Sequence, residues 1–109
     1  MEKVANFLSK NELDLSILSN KYFLIVLIYL NKENKPVKIN EISESLNISS
    51  KKLNQYIDYL IRIGYVEKTN KLDRSKKPPF INTFYKINDE KFNNLLNVFR
   101  SLLKILNLN

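Results

Sequence analysis

The side chains able to do chemistry gather in the middle of this chain. Ser50, Lys51, Lys52, Asn54, Gln55, Asp58 and Arg62 alternate with Leu53, Tyr56, Ile57 and Leu60. Shortly after them, Lys68, Lys71, Arg74, Lys76 and Lys77 place five basic groups within ten positions. Amide side chains donate and accept hydrogen bonds at once, and ammonium and guanidinium groups seek oxyanions. The chemistry on offer is non-covalent recognition of an anionic, hydrogen-bonding partner.

Composition removes most alternatives. The 109 residues contain no cysteine and no histidine. Disulfides, thiol chemistry, zinc sites built on those residues and imidazole acid–base catalysis are therefore excluded. Asp and Glu remain as hard-cation ligands, but no calcium-loop spacing occurs. A single glycine, Gly64, leaves no glycine-rich phosphate loop. No metal, no cofactor and no catalytic role are expected. The net charge is +7, and residues 35–86 hold 11 of the 18 basic side chains but only 5 of the 11 acidic ones. That balance favours nucleic acid or an acidic surface as partner. The longest apolar run, Tyr22–Leu30, is far short of the ~20 residues that cross a hydrocarbon core. The charged N-terminus lacks the apolar stretch of a signal peptide. A cytoplasmic protein without membrane attachment is expected, with one domain over residues 1–109.

Local signals order the elements. Val4, Phe7 and Leu8 share a helical face over residues 2–10, whereas residues 11–19 show no clear period. Ser19 or Asn20 can cap a helix running to about Lys32. A strand competes there because of Ile25, Val26 and Ile28, but the run is longer than most strands, which favours a buried central helix. Val37–Ile39 reads as a very short extended segment. Asn40 can cap a helix to about Leu46, and Ser49 a longer one over residues 50–63, with Gly64 as its left-handed C-terminal residue. Two helices separated by about three residues make a helix-turn-helix. The strand period then appears in residues 65–70 and again in 80–87, and the basic segment between them reads as a hairpin tip. The order is that of a mainly α protein with a β-hairpin wing.

Residues 42–90 resemble the winged helix-turn-helix of the MarR/ArsR-type transcriptional regulators. The likeness rests on Leu46, Ile48 and Ser49 before the second helix, and on Leu60, Gly64, Tyr65, Val66 and Glu67 closing it. Asp73 and Arg74 stand adjacent where the MarR branch often carries Asp-x-Arg, and Tyr85, Ile87 and Asn88 end the hairpin. The resemblance implies a recognition helix that enters the DNA major groove, with its N-terminal part nearest the bases. Sorted at 100° per residue, Leu53, Tyr56, Ile57 and Leu60 form the core face. Lys51, Asn54, Gln55, Asp58 and Arg62 form the outer face, and Ser50 at the helix start is expected to contact DNA with them. Asn and Gln pair bidentately with adenine, while Lys and Arg reach guanine or phosphate. Asp58 is expected to hold Arg62 at i+4. Lys52 and Tyr59 are expected to contact the DNA backbone from the flank. In the wing, Lys68, Lys71, Lys76 and Lys77 suit phosphates, and Arg74 a narrow minor groove. Lys38, on the short extended segment, is expected near the same backbone.

Residues 89–106 form a further helix with Phe92, Leu95, Leu96, Phe99, Leu102, Leu103 and Leu106 at spacings of three and four. This stripe is too wide for a solvated helix. It can pack on its own domain beside residues 4–30, or on its copy in a second subunit. The second burial is expected, as the resemblance also implies, and gives a homodimer on a palindromic double-stranded DNA site. The expected function is a sequence-specific DNA-binding transcriptional regulator. A non-catalytic protein-interaction module and a non-specific DNA-coating chromosomal protein are the alternatives.

Overall fold

The computed structural model describes residues 2–107. Helix α1 spans Glu2–Lys10 and the short α2 spans Glu12–Leu15, followed by a 3-10 turn at Ser16–Ser19. Helix α3 covers Lys21–Glu33, α4 Ile39–Leu46 and α5 Ser50–Arg62. Strands β1 (Val66–Asp73) and β2 (Phe80–Ile87) form an antiparallel hairpin, and α6 (Asp89–Ile105) ends the fold.

Capping side chains start α3, α5 and α6. The Asn20 side chain accepts from the Tyr22 amide at 2.9 Å and starts α3, and Ser49 caps α5. Helix α4 departs from expectation: Asn40 lies inside it, Lys38 is the N-cap residue, and no side chain caps it. The Val37 backbone explains the earlier start. It pairs with Tyr85 in both directions at 2.8–2.9 Å, so the chain leaves the sheet edge directly into the helix. With one glycine available, asparagine supplies the left-handed residues that end α3 and α4: Asn34 at φ 51° and Asn47 at φ 54°. Gly64 takes the more demanding φ of 91° after α5. There the Tyr65 amide donates to the Leu60 carbonyl and closes the helix.

The core joins α3 to the helix-turn-helix, the base of the hairpin and α6. Val26, Leu27 and Leu30 of α3 meet Ile42, Ile48, Leu53, Ile57 and Leu60 of the helix-turn-helix, all buried. Ile17 enters from the 3-10 turn, and Val66, Tyr85 and Ile87 from the base of the hairpin. Helix α3 is the central helix expected, but its burial is one-sided: Ile28 is 56% exposed. Tyr65 is fully buried, and its hydroxyl donates to the Asp14 carboxylate of α2. Burial, reinforced by that hydrogen bond, pushes its pKa well above the phenol range, so the group stays a donor. Among the described residues no single helix is long and apolar enough to cross a membrane.

Asn88 ties three elements together. Its side chain accepts from the Lys91 amide at 3.2 Å and donates to the Gly64 carbonyl at 3.0 Å, while its own amide donates to Tyr65 at 2.9 Å. Asn88→Ala removes a helix cap and a tertiary hydrogen bond together. The expected loss is about 2 kcal/mol, read as a lower urea midpoint at unchanged slope. An unshifted midpoint would assign this junction no share of the stability.

Candidate nucleic-acid interface

The helix-turn-helix is built by α4, the turn and α5. Asn47 reverses the chain, and the Ser43 hydroxyl donates to the Ile48 carbonyl at 2.6 Å while the Ile48 amide returns to Ser43. Ile48 is thereby driven into the core, and α5 leaves the turn with Leu53, Ile57 and Leu60 turned inward. Ser50, Lys51, Lys52, Asn54, Gln55, Asp58 and Arg62 are all exposed. The outer face is polar along its whole length, with two amides one turn from the N-terminus.

Three expectations on this helix are corrected. Tyr59 is not a flank contact: its ring stacks on Phe23 at 4.7 Å, and its hydroxyl shares a 2.6 Å hydrogen bond with Ser16. Tyr56 is only half-buried, stacked on Tyr22 at 5.1 Å and edge-on to Phe23 at 6.0 Å. Aromatic pairs of this kind add stability beyond the area they bury, and here they seat the back of α5 against α3. Asp58 forms no ion pair within 4.0 Å with Arg62 among the described residues. Its charge acts instead on Tyr85 of the hairpin, whose pKa is raised by burial first and by Asp58 second.

The wing differs from the expected loop in one respect. Strand β1 continues to Asp73, so Lys68 and Lys71 sit on the ladder opposite Tyr85 and Asn82, and the tip is only Arg74–Pro79. Leu72 and Asp73, which read as loop beside Arg74, find partners in Ile81 and Phe80 and carry the pairing outward. Asp73 then shapes the tip. Its carboxylate accepts from the Ser75 amide at 3.0 Å and hydroxyl at 2.5 Å, an Asx turn. The Ser75 bonds, aided by Lys76 and Lys38, hold its pKa below the ordinary carboxylate value. With its folded pKa depressed, the turn keeps this stabilisation above the unfolded value and loses it only as pH falls through the folded one.

The structure also gathers cations that the sequence left apart. Lys38 before α4 and Lys71 on β1 place their ammonium groups 5.7 and 5.4 Å from the Phe84 ring. Lys76 lies 5.0 Å from the Phe80 ring. Phe84 and Phe80 share a face because the strand period is two, which was the signal in the sequence that aromatic rings stand under the basic groups. Arg74, Lys76 and Lys77 are exposed at the tip. An open groove of about 220 Å³ lies beside Lys38, Phe80 and Ile81.

A helix-turn-helix whose second helix shows a polar outer face, followed by a two-stranded hairpin with cationic arms and tip, defines the winged helix fold. Helices α1 and α6 flank it. Two solved structures share this architecture. The ST1889 protein of the thermoacidophilic archaeon Sulfolobus tokodaii superposes with a TM-score of 0.61 at 18% identity, over 94% of this chain and 95% of that one. The transcriptional regulator YodB of B. subtilis, in its reduced form, superposes with a TM-score of 0.64 at 22% identity, over 87% and 86%. At such identities the likeness is one of fold. No family model and no curated protein matches the chain.

Proposed function

We propose that the chain is a sequence-specific transcriptional regulator of the MarR/ArsR type that binds double-stranded DNA as a homodimer. The observation that carries this reading is the exposed polar face of α5 beside a hairpin bearing Lys68, Lys71, Arg74, Lys76 and Lys77. Asn54 and Gln55 are the base readers near the helix N-terminus, with Lys51 and Arg62 beside them. Ser50, Lys52 and the wing cations take phosphates and set the register. The fold shared with a transcriptional regulator supports the same reading. No step of chemistry is required: occupancy of a promoter changes polymerase access.

The dimer follows from apolar surface left uncovered around α1, α2 and α6. Phe92 and Leu95 of the expected interface are buried in the chain's own core and leave it. Leu96, Phe99 and Leu102 remain half-covered, and Leu103 and Leu106 are 43% and 42% exposed. Leu8 and Leu13, on helices that pack near α6, are 42% and 55% exposed. A two-fold partner covering these side chains sets two recognition helices on one DNA face, about one helical turn apart.

The test separates readers from anchors. A duplex selected from random sequence is compared with a scrambled one for two variants. Gln55→Ala lowers the ratio of specific to scrambled affinity by roughly 1–3 kcal/mol. Lys76→Ala weakens both duplexes alike and reduces the log–log salt slope by about 0.9. An unaltered ratio in Gln55→Ala removes that residue from the reading set. A wild type with no preference at all would make the protein a general DNA coat.

A further inference from the structure

Phe84 stands where three segments meet. Val37 and Tyr85 are bridged and buried, so the next residue on each side, Lys38 and Phe84, turns to the outer face of the hairpin. Across the ladder Phe84 pairs with Thr69, and Lys71, two positions farther along β1, shares that outer face. Strand β1 lies along one edge of β2 and Val37 along the other, so the two lysines approach the ring from opposite edges. The Lys38 ammonium is 5.7 Å and the Lys71 ammonium 5.4 Å from the ring centroid. One lysine belongs to the helix-turn-helix, as the N-cap residue of α4, and the other to the wing.

Two like charges held at one ring repel each other, and the chain does not neutralise them. No carboxylate lies within 4.0 Å of either ammonium among the described residues. Glu67 on the same face stands opposite Lys86 in the register, and Asp73, which Lys38 influences at longer range, accepts from Ser75. The ring face attracts each ammonium only weakly at an exposed site. It sets where the charges sit without cancelling them. Both lysines are exposed and Phe84 is half-buried, so the ring is anchored while the charges face solvent. An anion placed between the two lysines relieves their repulsion. In helix-turn-helix proteins the first helix crosses the DNA backbone, and Lys38 stands at the start of that helix.

We infer that Phe84 is a positioning residue for DNA binding: it seats Lys38 and Lys71 together, so that they clamp one stretch of phosphate backbone where the wing meets the helix-turn-helix. This deepens the DNA-binding reading and rests on it. A lysine side chain has many rotamers, and immobilising it at an interface opposes binding. The ring meets part of that cost before DNA arrives. Each ammonium has three donors, so N–H groups remain for phosphate oxygens while the ring lies beneath. Phosphate contacts position and do not specify, so the clamp acts on all duplexes alike.

The experiment uses the full chain, a duplex selected for binding and a scrambled one. Phe84→Leu keeps an apolar side chain but no ring. It weakens both duplexes roughly five- to fifty-fold, from the ordering of two lysines, at an unchanged salt slope because both charges remain. Phe84→Tyr keeps the ring and binds as wild type. Lys38→Met with Lys71→Met lowers the slope by about 0.9 for each lysine, and in that background Phe84→Leu has no further effect. A ring that only supports the hairpin costs the same in both backgrounds. Independently of any Phe84 variant, the ε-methylene protons of Lys38 and Lys71 in the free wild type resonate upfield of their random-coil positions, because they lie over the ring. Equal losses in both backgrounds, wild-type binding by Phe84→Leu, or random-coil lysine resonances each overturn the clamp and leave the regulator intact. Wild type that binds no duplex overturns both.

Discussion

Replacing Lys71, Arg74, Lys76 and Lys77 together by alanine lowers the log–log salt slope of DNA binding by about 3–4 units, since each phosphate contact contributes about 0.9. All four are exposed, and none is within the core. The hairpin keeps its eight-residue arms and its Asp73–Ser75 turn, so the melting temperature moves little. The loss is therefore one of affinity, steep at moderate salt and small at low salt. Preference for the selected site survives at low salt, because the face of α5 is untouched. Arg74→Ala alone also weakens preference for A·T-rich flanks, through groove width. The measurement is a salt titration of wild type and variant on one duplex. An unchanged slope would make the cluster a solubilising or protein-docking surface, and the interaction-module reading would replace the regulator.

Sedimentation of the wild type at micromolar concentration gives about twice the chain mass, and Leu103→Lys with Leu106→Lys gives the monomer. These two leucines are chosen because they are exposed, so lysine there disturbs the partner surface and not the core. Lysine is also favourable beside the negative end of α6, which ends at Ile105. Loss of the dimer removes the effective concentration that links two half-sites, and two-site affinity falls roughly 10²–10⁴-fold. The added positive charge acts in the opposite direction, so the loss cannot be a charge effect. Wild type that stays monomeric across the concentration range would end the dimer proposal and leave α1 and α6 as a covering layer of a single winged domain.

Much of the fold was legible because its signals are local. Asn20, Ser49 and Asn88 are caps that act within three residues, and Gly64 marks the one backbone angle that needs it. The 3.6-residue period of α5 placed Leu53, Ile57 and Leu60 inward by angle alone. The sorting of α5 into a core face and a polar face needs only that period, and the exposed side chains follow it. What the period does not reveal is the neighbour on each side. Tyr59 sits on the edge between the two faces, and only the approach of Phe23 and Ser16 draws it inward.

By itself, the sequence determined the order of elements from α3 to α6, the polar face of α5, the concentration of charge in residues 35–86, and the absence of thiol and imidazole chemistry. These are properties of residue type and short spacing. Tertiary structure decided everything that depends on a partner distant in the chain. Strand β1 runs on to Asp73 because β2 lies opposite it, which moves Lys68 and Lys71 from a loop to a ladder. Phe92 and Leu95 belong to the chain's own core because α6 packs back on it, which takes them out of the apolar stripe proposed to meet a second subunit. Tyr65 meets Asp14 across 51 residues, and Lys38 meets Lys71 over Phe84. A helical or strand period specifies which direction a side chain faces; only the packed chain specifies what it faces.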